Sequence, residues 1–165
     1  MPRLFCIKGS HHRHAFSLVE LSIVLVILGL LVGTVLSAQS LIRASELRSV
    51  SNDYFRFVAA TQTFRDKYFA LPGDMTNATQ FWGAAHATPA TCYATASTGK
   101  ETCDGDGNGL VNSSAAGSNE TFRFWQHLSN AGLIEGTYSG VGGSAGAIHA
   151  VIGVNIPVSR IGLAG

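Results

Sequence analysis

The sequence predicts an α+β protein made of one long N-terminal helix and a small, loop-rich head. Three observations carry that expectation. An apolar block runs from Phe16 to Ile42 and, after Glu20, holds no charged side chain until Arg43. No Pro occurs between Pro2 and Pro72, and no Gly between Gly33 and Gly73, so nothing interrupts a helix on either side of Arg43. Beyond that, many of the 19 glycines gather in stretches with few large apolar side chains.

The first 15 residues are basic, with Arg3, Lys8 and Arg13 and no acid. The block that follows, from Leu21 to Ile42, spans about 33 Å as a helix, enough for the hydrocarbon core of a bilayer. It is longer than the h-region of a secretory signal and lacks a clean small-residue cleavage site at its end. Basic residues before a single span are the ordinary signature of a membrane anchor. They do not explain Glu20, because a carboxylate inside an apolar span is costly and calls for a partner.

From Gln39 the helix turns amphipathic. Leu47, Val50, Tyr54, Phe57, Val58, Thr61, Phe64 and Tyr68 recur at steps of three and four and draw the stripe expected to face a head. One continuous helix of about 54 residues and about 80 Å, from Phe16 to Phe69, is therefore expected. Gly29 and Gly33 form a GxxxG pair, a weak signal for close helix approach.

Ala15-Phe16-Ser17-Leu18-Val19-Glu20-Leu21, with the apolar helix directly after it and a basic leader before it, resembles the amino terminus of type IV prepilins and type II secretion pseudopilins. The resemblance is specific over about residues 10 to 50. It implies a pilin-like fold with residues 1–15 as leader, 16–42 as a transmembrane and filament-core helix, 43–70 as its amphipathic continuation and 71–165 as a periplasmic head. It implies that a prepilin peptidase cuts between Ala15 and Phe16 and N-methylates Phe16. Glu20 is then the assembly residue, paired with the Phe16 amine of a neighbouring subunit. The implied setting is the bacterial inner membrane, crossed once, followed by a filament of pilin or pseudopilin subunits. One departure is Ala15, where the family usually has Gly.

Composition bounds the remaining classes. The chain holds 11 Lys+Arg against 10 Asp+Glu; with Arg3, Lys8 and Arg13 in the leader, eight cations face ten acids afterwards. No basic excess marks a nucleic-acid surface. Cys6 lies in the leader, which leaves Cys92 and Cys103 as a pair closing a short loop, a disulfide in an exported domain. No second Cys pair or HxxxH offers a zinc site.

In the head, Leu71-Pro72-Gly73-Asp74-Met75 is a turn, with Asp74 or Thr76 expected to cap a segment reaching Phe81 and Trp82. Asp104-Gly105-Asp106-Gly107-Asn108-Gly109 matches the first half of a DxDxNG calcium loop, which makes Asp104, Asp106 and Asn108 candidate calcium ligands. The twelfth position is Ala115 instead of a bidentate Glu, and Glu120 falls too late unless the loop folds differently. Calcium sites in some pseudopilin heads agree with this reading; a plain Gly/Asp turn is the competing one.

A second helix is expected near Asn119–Gly132, capped by Ser118 or Asn119, with Phe122, Trp125 and Leu128 forming its apolar edge and Phe124 and His127 off it. Ala147–Val154 and Ile156–Ile161 read as strands of a short antiparallel sheet that is incomplete at Gly165. GVGGSAG lacks the Lys and helix of a phosphate loop, and no Ser/His/Asp set or acid pair assembles, so no enzyme is expected. The alternative to a filament subunit is a single-pass anchored periplasmic protein that binds calcium or a partner without polymerising.

Overall fold

The computed structural model describes residues 17–112 and 120–159. The cleavage residues Ala15 and Phe16, the candidate caps Ser118 and Asn119, and Arg160 and Ile161 lie outside the described residues. Among the described residues there are four helices, in the order α1 (Leu18–Tyr68), α2 (Ala78–Trp82), α3 (Pro89–Cys92) and α4 (Glu120–Asn130). The chain divides into two units, Met1–Ser45 and Glu46–Gly165, and α1 is continuous across the division.

In the first unit every described residue is exposed, from Leu18 at 85% onward. Several of its hydroxyls are satisfied on the helix itself: Ser22 Oγ donates to Val19 O at 2.8 Å, Thr34 Oγ1 to Leu31 O at 2.8 Å and Ser37 Oγ to Gly33 O at 3.1 Å. A helix without solvent needs this, since an unbonded hydroxyl or backbone group in hydrocarbon is expensive. The helix is long and apolar enough to cross a membrane. A β-carbon added at Gly29 or Gly33 would meet nothing within 4 Å, so the GxxxG face is not packed against any of the described residues.

In the second unit the core is made by Ala60 and Phe64 of α1 with Met75, Ala78, Leu128 and Ile134. Phe64 is fully buried, and its ring lies 4.5 Å from that of Tyr68 and 6.3 Å from that of Trp82. Burying such a ring contributes about 1.5–3 kcal/mol. The predicted stripe is therefore only partly covered. Phe57, Thr61, Phe64 and Tyr68 are buried or half-buried, whereas Leu47, Val50, Tyr54 and Val58 remain exposed. Coverage is closest along the last three turns of the helix and thins below them, where Val50 and Tyr54 stand exposed beside Ile156 and Val158.

The expected antiparallel sheet is not found among the described residues. Among the described residues there is no strand, only two isolated parallel bridges, Ala84 with Thr102 and Ile152 with Ile156. The predicted strand at Ala147–Val154 is instead a series of turns closed by one side chain. Asn155, 1% exposed, accepts from Val151 N at 2.6 Å and donates from Nδ2 to Val141 O and His149 O, both at 2.9 Å. Those three backbone groups find in an amide what a strand would find in a neighbouring strand.

α4 is buried on more than one edge. Phe122 and Leu128 are buried as expected, but Arg123, Gln126 and His127 are buried as well. The Arg123 guanidinium donates from Nη2 to Cys92 O at 3.0 Å and Thr95 O at 2.9 Å, and from Nη1 to Gln126 Oε1 at 2.7 Å. Gln126 Nε2 donates to Glu101 O at 3.0 Å. α4 thus fastens the loop closed by the Cys92–Cys103 disulfide, whose Cα atoms are 5.8 Å apart.

Candidate functional site

At the start of α1, Ser17 and Glu20 form a reciprocal cap. Val19 N donates to Ser17 Oγ and Ser17 N donates to Glu20 Oε2, both at 3.3 Å. This is a capping box, which satisfies two of the N–H groups a helix terminus leaves unpaired and favours an acid there through the helix dipole. It fixes the beginning of the helix immediately after Ser17. The Ser-x-x-Glu spacing was in the sequence as a helix-start signal beside the assembly motif. Glu20 is the sole acid between Ser17 and Ile42.

The head gathers a second set of acids. Carboxylate oxygens of Asp74, Asp106 and Glu120 lie within 4.8 Å of one another. Three segments deliver them: the turn after α1, the glycine-rich loop and the first turn of α4. Two glycines make the approach possible. A β-carbon on Gly73 (φ 88°) would come within 2.5 Å of Glu120 O, and one on Gly105 within 2.5 Å of the Asp74 backbone. Gly105 N also donates to Met75 O at 2.8 Å, stitching the loop to the turn.

Backbone amides hold each carboxylate. Asp74 accepts from Asn108 N at 3.1 Å and Gly109 N at 2.8 Å; Glu120 accepts from Asp106 N and Asn112 N, each at 3.1 Å. Asp106 accepts from Asn108 N at 3.0 Å. Glu120 is 1% exposed, and burial, with Asp106 and Asp74 adding repulsion, pushes its carboxyl above the usual carboxylate range despite those amides. Carboxylate oxygens delivered by three segments are the chemistry that suits a hard divalent cation, and each carboxylate keeps lone pairs beyond those the amides use.

Of the three calcium ligands expected from the DxDxNG match, only Asp106 belongs to this cluster. Asp104 turns to α2, accepting from Thr79 N at 2.8 Å and Thr79 Oγ1 at 3.0 Å. It therefore does the capping expected of Asp74 or Thr76. Asn108 uses its Nδ2 to bond Asp106 at 2.8 Å and its Oδ1 to accept Leu110 N at 2.8 Å. Asp74 and Glu120 stand beside Asp106 instead. The late position of Glu120 hinted at a differently folded loop; nothing in the spacing singled out Asp74.

His127 lies fully buried behind this region. Gly73 N donates to its Nδ1 at 3.0 Å, its Nε2 meets Thr102 Oγ1 at 2.9 Å, and its ring is nearly parallel to that of Phe64. Burial, with the Arg123 charge adding to it, lowers its pKa to about 3. It is a neutral structural connector.

These features define a chain with a capped apolar N-terminal helix and a disulfide-closed head. Residues 10–36 match the model of the prokaryotic N-terminal methylation motif, and this segment is a prepilin-type cleavage and methylation site. Comparison with curated proteins and with solved structures gives no match.

Proposed function

We propose that this chain is a structural subunit of a type IV pilus or a type II secretion pseudopilus, cleaved between Ala15 and Phe16, N-methylated at Phe16 and assembled through α1. The methylation motif at residues 10–36 carries this reading. A membrane-length apolar helix with one acid, Glu20, near its start supports it. The work is mechanical, with no catalysed reaction. The chain waits in the inner membrane with its head in the periplasm, where the Cys92–Cys103 disulfide can persist. In the filament, Glu20 exchanges its cap on Ser17 for the Phe16 amine of a neighbour, neutralising two charges in an apolar core.

The head also binds calcium in this reading, at Asp74, Asp106 and Glu120. The same cluster favours a second reading, an anchored calcium-binding protein that does not polymerise. Intact mass and N-terminal sequencing of the membrane-extracted chain, with and without a prepilin peptidase, separates the two. A product beginning at methylated Phe16 is expected. A chain that retains its first 15 residues in the presence of the peptidase removes the filament reading.

A further inference from the structure

At the upper end of α1, Gln62, Arg65, Asp66 and Phe69 follow the i, i+3, i+4, i+7 spacing that gathers residues on one side of a helix. This is a different side from the one that carries Phe57, Phe64 and Tyr68 toward the core. The four line a trough of about 700 Å³, whose other wall is the turn at Asp74 and Thr76 and the loop at Gly107. That volume falls within the about 300–1,000 Å³ of ordinary ligand sites.

The polar groups of the trough are free. Gln62, Arg65, Asp66, Thr76 and Gly107 are exposed. Among the described residues, no hydrogen bond or ion pair engages the first four side chains or the Gly107 N–H. Asp74 lines the trough from the buried side, 5% exposed and held by Asn108 N at 3.1 Å and Gly109 N at 2.8 Å. Gly107, at φ 72°, lies so close to Thr76 that a β-carbon there would meet its methyl at 2.5 Å, which keeps this part of the wall bare backbone.

Phe69 adds an apolar surface to these groups. It stands at φ 55°, among the described residues the one non-glycine with a positive φ, and 93% of its surface is exposed. A left-handed position after a helix ordinarily belongs to Gly or Asn. Here the strained backbone turns a phenyl ring out of the head and onto the trough, and strain of this kind gathers at ligand clamps.

The walls select the ligand. Asp66 and Asp74 face Arg65, so an ion of either sign meets a like charge beside its partner. An apolar molecule would strip water from these groups and replace no bond. A sugar ring suits both kinds of surface. Amide, guanidinium and carboxylate are planar groups that can bind neighbouring hydroxyls in pairs, and a phenyl ring can cover a C–H face. We propose that this trough binds a neutral pyranose, with Phe69 against its C–H face and Gln62, Arg65 and Asp66 bonding its hydroxyls. The inference goes beyond the filament reading and holds whether or not the chain polymerises.

The test uses the full chain in a phosphocholine detergent, which carries no sugar. The probes are D-galactose, methyl β-D-galactopyranoside, methyl α-D-mannopyranoside and N-acetyl-D-glucosamine, followed by saturation-transfer difference NMR. At least one should bind, with the protons of one ring face saturated most strongly. Equal binding of galactose and its methyl glycoside supports a sugar carried on a chain, and binding of galactose alone supports a free one. Phe69→Gly should weaken binding about tenfold, the upper end for one aromatic contact, and leave the thermal midpoint unchanged or higher because Gly suits this backbone. Phe69→Tyr keeps the ring and should keep the affinity. Gln62→Ala, on an exposed helix face, should weaken binding about fivefold, as for one lost hydrogen bond. No binding by any of the four sugars overturns the proposal, as does binding that survives both Phe69→Gly and Gln62→Ala. If Phe69→Gly lowers the midpoint, Gln62→Ala decides alone, and unchanged affinity in it overturns the site.

Discussion

The backbone N–H of Gly73 donates to Nδ1 of His127 at 3.0 Å, so the turn that ends α1 is held by a side chain 54 residues further on. Because Nδ1 accepts, the ring proton sits on Nε2 and is donated to Thr102 Oγ1, whose hydroxyl passes on to Gln126 Oε1 at 2.8 Å. A second proton would break the Gly73 bond and place a charge in the core near Arg123. The folded pKa of about 3 lies below the unfolded value of about 6.5. The unfolded chain therefore binds the proton first. This contribution to stability is complete above pH about 6.5 and is lost as pH falls toward 3, by up to about 1.4 kcal/mol per unit. Thermal unfolding of the detergent-solubilised chain, followed by Trp82 and Trp125 fluorescence, should show that acid slope. His127→Gln should flatten it while lowering stability at pH 7.

Glu120 works in the opposite direction. Its folded pKa is raised, chiefly by burial, with Asp106 and Asp74 adding repulsion. The folded chain binds this proton more readily than the unfolded one. The resulting penalty is full above the folded pKa and disappears as pH falls through it toward the ordinary value. In a chelating buffer, Glu120→Gln should therefore raise the midpoint at pH 7. Calcium should raise the midpoint of the natural chain, by about 2.7 kcal/mol at a hundredfold excess over Kd, and do little for the variant. Equal calcium effects in both would remove the metal from this cluster.

What could be read in advance divides along physical lines. The long helix was legible because its signals are local and uninterrupted, and the observed Leu18–Tyr68 departs from the expected Phe16–Phe69 by only a residue or two among those described. Its buried stripe was legible only in part. Periodicity marks which residues share a face, not how far a head extends along it, so Leu47 and Tyr54 were counted as covered. The grouping of acids around Asp106 was hidden for a related reason. DxDxNG is a local pattern, but Asp104 is claimed by Thr79, 25 residues away, and Asp74 enters from a separate turn. Burial of His127 depended on the disulfide loop and on Gly73, neither of which its own helix reveals.

Glu20 yields a prediction about assembly. In the single chain its carboxylate is bonded by Ser17 N at 3.3 Å, a partner a neutral amide can also satisfy. Glu20→Gln should keep the helix start and leave cleavage before Phe16 largely intact. It cannot neutralise a neighbour's amine, so incorporation into filaments should fall to background. Quantifying processed subunit in membranes and in sheared filament fractions checks both halves. Normal incorporation of the variant would remove the role proposed for the carboxylate.

Asn155 offers the sharpest test of the turns found where strands were expected. Its amide closes the backbone at Val141, His149 and Val151, and Val154 O accepts Ser139 N at 2.9 Å from the same knot of turns. Cutting the side chain back leaves Val151 N without this acceptor, at about 1–3 kcal/mol, and takes one donor each from His149 O and Val141 O, which keep Gly143 N at 2.8 Å and Ser139 Oγ at 3.4 Å. Asn155→Ala should lower head stability by about 2–4 kcal/mol, less than the full sum because the loop can admit water. Asn155→Asp retains the acceptor for Val151 N but turns a buried carboxylate oxygen on the Val141 and His149 carbonyls, so it should destabilise at least as much as Asn155→Ala. Hydrogen exchange localises the effect. Faster exchange confined to residues 139–155, with α4 still protected, is the expected pattern. If instead Asn155→Ala left exchange there unchanged, these turns would owe their shape to the backbone alone.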